Sequence, residues 1–266
     1  APWGQHLKYL WKMKATQAWE QHHKEGRTNA ITGRFFGTKP MEELYDTSVD
    51  PDNVHNLIDD PRHAADIARL SKAMDQWQLD HYDSALLPES EIVKRSEEAG
   101  KTIYDLVRDP SLYNLKALQQ ASATALEQDA ANVATFYKDF NDVDAGVRYW
   151  AIVGCFNVQE KASLDMDVIR KSLADECHHV RIMAAWVLYR AGDKETAQAC
   201  WNELLNESSY ASLKIFNIID WIGDGHEPYA DAMKVCSFSH SGYVARMQQY
   251  MGVAKPAEKK KRNRKK

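Results

Sequence analysis

Hydrophobic and polar positions change their rhythm along this chain. Up to residue 60 the pattern is short and broken. "ATQAWEQHHKEGR" fits a short helix ending near Gly26, "GRFFGTKP" is expected to be extended, and "EELYDT" fits a short strand followed by a turn in "SVDPDNV". Asp60-Pro61 then opens a helix, with Asp as the cap and Pro in the first turn. Ala65, Ile67, Leu70, Met74, Trp77 and Leu79 give that helix, about residues 62–82, an apolar stripe. Residues 84–110 are irregular, with short helical pieces. From about Leu112 to Met251 helix follows helix, and the pairs Val147-Arg148, Val180-Arg181 and Leu213-Lys214 recur at a spacing of 33 residues. Second helices fall near 164–174, 193–206 and 227–236, and a last helix carries Tyr243, Met247 and Tyr250. A repeat of paired helices implies an α-solenoid, because one pair cannot bury its apolar face alone.

The repeated segments "DVDAGVRYWAI" (Asp142 to Ile152) and "DECHHVRIMAA" (Asp175 to Ala185) resemble the signature of HEAT-type repeats. That resemblance implies that Asp142, Arg148, Asp175 and Arg181 fix neighbouring units together and take no part in catalysis.

Composition adds limits. With 44% hydrophobic and 27% charged residues over 266 positions, the chain can form a core. The net charge is -4, yet the last twelve residues hold eight Lys or Arg. The body therefore carries no basic face of the kind that nucleic-acid enzymes need, and nucleic acid is not an expected partner. The tail reads as a solubilising end, with an anionic surface as its other use. No run of 18 apolar residues is present, so no membrane span is expected. The chain opens "APWGQHLKYLW", without Met or signal peptide, and reads as the continuation of something longer.

Candidate chemistry is sparse. Cys155, Cys177, Cys200 and Cys236 form no CxxC pair and sit in apolar helical surroundings, as small buried hydrophobes do. Asp46, Ser48, Asp50 and Asp52 alternate like a calcium loop, but Pro51 and Leu57 stand where an EF-hand needs Gly and Glu. His22-His23 and His178-His179 are adjacent pairs, which point about 100° apart on a helix and do not share a metal easily. GxSxG, P-loop and GxGxxG motifs are absent, and His240 between Ser239 and Ser241 is weak evidence of anything.

One longer motif stands out. "KPMEELYDTSVDPDNVHNLIDDP" resembles a segment near the end of the sulfatase family. It matches at Pro40, Glu42, Glu43, Leu44, Tyr45, Asp46, Asp50, Pro51, Asn56, Leu57 and Pro61, and departs at Thr47 and Val54. "LLPESEIVKR" resembles the heparan N-sulfatase-like, or N-sulfoglucosamine sulfohydrolase-like, bacterial branch. The resemblance implies an α+β fragment followed by an all-α part. The expected divisions are a small-sheet subdomain piece at 1–83, a linker at 84–110, HEAT-like repeats at 111–252 and a basic disordered tail at 253–266. Tyr45, Asp46 and Asp50 would then be strand, turn and cap residues of a structural corner. The family's formylglycine motif is missing here, so formylglycine, Ca2+ and the catalytic residues would belong to an N-terminal sulfatase domain outside this sequence. No catalytic or metal residue is assigned in this chain. His22, His23, Arg34 and Lys39 are the expected contacts at the border of a sulfated-glycan cleft. The implied parent is a periplasmic or extracellular enzyme hydrolysing sulfate esters or sulfamates, this piece being inert by itself. The alternative is a non-enzymatic HEAT-like scaffold or protein-binding module.

Overall fold

A computed structural model describes residues 10–236 and 242–253. The basic tail from 254 onward, the opening residues 1–9 and the His240 segment lie outside the described residues. The chain forms two compact units, Ala1–Ser172 and Leu173–Lys266.

The first unit begins with α1 (Lys14–Lys24), which stops before Gly26 at φ +70°. Arg34–Phe36 then forms one 3-10 turn, where an extended run was expected. A longer helix, α2 (Ala64–His81), follows a 3-10 turn at Pro61–His63. The Asp60 carboxylate accepts the Arg62 N–H at 3.0 Å, so the cap reads as its sequence suggests. The remaining helices of this unit are α3 (Glu89–Ala99), α4 (Ile103–Leu106), α5 (Leu115–Leu126), α6 (Val133–Asp139), α7 (Ala145–Val158) and α8 (Met166–Lys171). The second unit holds α9 (His178–Arg190), α10 (Lys194–Leu204), α11 (Ser209–Ile222), α12 (Ala230–Lys234) and α13 (Val244–Tyr250).

Apart from an isolated bridge position at Thr38, the described residues contain no β-structure. The expected α+β fold with a small sheet is therefore corrected to an all-α fold of HEAT-like helix pairs. The physical reason lies in the "EELYD" segment. A strand needs a ladder to a neighbouring backbone, but here the polar groups of Leu44 are met by two successive residues of a later loop. Its N–H donates to Asn56 Oδ1 at 2.9 Å, and its carbonyl accepts the Leu57 N–H at 2.7 Å. One side-chain amide and one backbone amide satisfy the residue, and a ladder is not required.

In the first unit α7 is the central helix. The Asp144 carboxylate caps it by accepting the Gly146 N–H at 2.7 Å. Its small residues let neighbours come close: a Cβ at Gly154 would lie 2.5 Å from the ring of Phe136 on α6, and one at Gly146 would strike Leu87 and Leu118. Asn157 Nδ2 donates to the Ala125 carbonyl of α5 at 2.9 Å. Leu106, Tyr113 and Leu118 fill the core beneath α3, α4 and α5.

The second unit packs α9, α10 and α11 around Trp201, which is fully buried and donates from its indole nitrogen to the Ile182 carbonyl at 3.2 Å. Ile215, Phe216, Met233 and Met247 complete that core. Ser208 caps α11 through the Ala211 N–H at 3.0 Å, and Gly223 at φ +72° ends it.

Candidate interaction surface

The residues that the 33-residue register brings out bond around the turns ahead of their own helices. Asp142 Oδ1 accepts the Asp144 N–H at 2.7 Å, and Asp175 Oδ1 accepts the Cys177 N–H at 2.8 Å. Each carboxylate thus fixes the turn ahead of α7 or α9. Arg148 donates to the carbonyls of Asp142 at 2.8 Å and Val143 at 3.2 Å. Arg181 donates to the Leu173 carbonyl at 2.9 Å and to Glu203 at 2.5 Å. A cation placed on carbonyls left open where the preceding helical turn ends is favourable.

The corner residues are engaged in a similar way. Asp46 accepts the Ser48 N–H at 3.0 Å and its hydroxyl at 2.5 Å, while Asp50 accepts the N–H groups of Val54 and His55 at 3.0 and 2.8 Å. These bonds hold both carboxyls below the usual carboxylate range, through Ser48 for Asp46 and through His55 and Val54 for Asp50. Tyr45 Oη donates to Glu43 at 3.2 Å, and partial desolvation raises the phenol. His23 stacks on Phe36 at 4.4 Å and bonds Thr28 at 2.9 Å. Arg34 instead reaches the carbonyls of Asn53 and Val54 at 2.8 and 3.0 Å. His23 and Arg34 therefore serve different contacts, while Lys39 is exposed and His22 is half-buried on α1. Among the described residues no three His, Cys, Asp or Glu side chains are grouped so as to hold a metal ion. All four cysteines are buried, and burial pushes the Cys155 thiol up to about 12.

A polar centre that no motif announced lies beside α7. Arg95 on α3 donates to Glu91 at 2.9 Å, to the two oxygens of Asp144 at 2.6 and 3.1 Å, and to the Leu112 carbonyl at 3.3 Å. The same Asp144 that caps α7 thereby ties it to α3. Tyr113 adds a bond from its hydroxyl to the Asp83 carbonyl at 2.6 Å, and Trp150 one from its indole to the Leu86 carbonyl at 2.8 Å.

Several large apolar side chains also remain open to solvent. α2 spans 18 residues, none of them buried. One narrow face meets the protein: Leu79 packs on the core, Ser71 bonds Glu42 at 3.1 Å, and Gln119 of α5 bonds the Asp75 carbonyl and the Gln78 side chain, each at 2.9 Å. Leu70, Met74 and Trp77 lie on another face, at 43%, 58% and 52% exposure. Their spacing of four and three residues makes one stripe. Trp77 is steadied there by stacking on His81 at 4.7 Å. The expected helical stripe of this segment thus divides between an inner face and an outer one.

Comparison with known proteins adds one local likeness. The chain is similar to an ulvan-active sulfatase from Formosa agariphila, 36% identical over 72 residues, which is 27% of this chain and 12% of that protein. No protein-family model matches the chain. No solved structure matches it either. A likeness over 12% of one sulfatase, in a chain whose described residues form no sheet, overturns the expectation that this is a piece of a sulfatase hydrolysing sulfated carbohydrates. The hydrolase and calcium assignments that followed from that family fall with it. No helix among the described residues is long and apolar enough to cross a membrane.

Proposed function

We propose that this chain is a non-enzymatic helical-repeat scaffold that binds a protein partner through the outer face of α2. The observation that carries the reading is the stripe of Leu70, Met74 and Trp77, whose large apolar side chains are more than two-fifths exposed on a regular helix. Aromatic and methionine side chains presented on a rigid helix are typical anchors of protein–protein interfaces. The conspicuous arginines are occupied in structural bonds: Arg95 ties α3 to the cap of α7, and Arg148 and Arg181 bond carbonyls ahead of their own helices. That use is what a scaffold needs, since it fixes the spacing of the surfaces it presents.

Site-specific photocrosslinking tests the reading. A photoreactive phenylalanine analogue replaces Trp77 in the full chain, with an equivalent replacement of Glu98 as the exposed control. A discrete crosslinked protein band at 77, absent at 98 and suppressed by Met74→Lys, is expected. Equal crosslinking at both positions, or none at 77, contradicts it.

A further inference from the structure

The outer face of α2 carries charge as well as apolar side chains, and the order of those charges says what fits it. With 3.6 residues per turn, Asp66, Arg69 and Asp80 fall along the solvent side of the Leu70–Met74–Trp77 stripe. Arg69 stands near the first turns and Asp80 near the last. The two are 11 positions apart, about 16 Å along the axis. Their midpoint falls beside Met74, which is also the middle of the apolar stripe.

Such a face is complementary to itself when turned end over end. We propose that α2 pairs antiparallel with α2 of a second copy of this chain, about a twofold axis near Met74. This rests on the partner-binding reading above and names the partner. The twofold lays Leu70 of one copy against Trp77 of the other, twice, and sets Met74 against its own counterpart. The same operation brings Arg69 to Asp80 of the other copy at both ends of the helix pair. Arg69 already bonds Asp66 of its own helix at 2.9 Å, which holds the guanidinium on the rim. Asp80 is held by Gln76 at 2.8 Å, again on the solvent side. A parallel twofold pair would instead place the Arg69–Asp80 rims of the two copies on opposite edges of the contact and leave those charges unmatched, so the charges select the antiparallel one. One helix face per copy is a small interface, below the roughly 1,200 Å² of stable specific complexes, so the dimer forms in a concentration-dependent way.

Sedimentation velocity of the purified full chain over a concentration series reads the self-association, and charge reversal reads the register. Arg69→Asp alone and Asp80→Arg alone are each expected to weaken the dimer by about tenfold, because two attractive rim pairs become repulsive. The double variant Arg69→Asp/Asp80→Arg restores it, since the exchanged charges meet again across the twofold. Circular dichroism on each variant confirms that α2 remains helical. A chain that stays monomeric at every concentration, or a dimer indifferent to both reversals, overturns the proposal. In the monomeric case, a crosslink from position 77 to a different protein would keep the scaffold reading and discard only the second copy.

Discussion

Gly154 is held against Phe136, a ring only 1% exposed with nowhere to move. Gly154→Ala is therefore expected to destabilise the chain by about 1–3 kcal/mol through overpacking, despite the better helix propensity of Ala. Urea unfolding of the two proteins measures it, and an unchanged or higher midpoint would contradict the close approach of α6 and α7. Asp144 does two jobs, and they can be separated. Asp144→Asn keeps an oxygen for the Gly146 N–H and removes the charge facing Arg95, whereas Asp144→Ala removes both. The alanine variant should lose about 2–4 kcal/mol and the asparagine variant clearly less than that. Equal losses would mean that the cap bond contributes nothing measurable. This centre was not legible in the sequence. Arg95 and Asp144 are 49 positions apart, and nothing local to either residue points to the other. The Asx turns at Asp46 and Asp50 were easier to read, since the bonds they make reach only two to five residues onward.

At the scale of elements, α9 carries a built-in acid sensitivity. His179 lies near its start, 4% exposed, with His178 beside it and Lys214 of α11 nearby. Desolvation, with the Lys214 and His178 charges adding to it, pulls the imidazole from its ordinary 6.5 down to about 2. The unfolded chain then binds a proton below about pH 6.5 that the folded chain refuses, so stability falls as the pH drops through that value. Between pH 6.5 and 5, above the main carboxylate range, the wild type should lose stability on acidification, and His179→Gln should show a flatter profile. Denaturant midpoints at a series of pH values check this, and equal slopes would contradict it. The helices themselves were legible where a hydrophobic-basic pair recurs: α7 and α9 place that pair in the first turn, and α11 places it in the second. α3 and α4 were harder to see. α4 has only four residues, and α3 is tied through Arg95 to Asp144, 49 positions away at the cap of α7.

For the whole molecule, the sequence shows the repeat register but misleads about the segment ahead of it. Alternation in "EELYD" is what a half-buried strand displays, and a stretch of five residues with that alternation suits any extended chain. Which one forms depends on the partner of its backbone. Asn56 and Leu57 supply that partner from twelve and thirteen residues away, and they do so without a ladder. The outer stripe of α2 was legible as apolar spacing, while its exposure was not, because periodicity alone does not say whether a face meets a core or a partner. The all-helical reading is the claim on which the rest depends. Backbone chemical shifts of the full chain, assigned by NMR, test it most directly. The account predicts helical shifts across α1 to α13 and no run of strand shifts from Glu42 to Thr47. A continuous strand signature there, with cross-strand contacts to another segment, would contradict it.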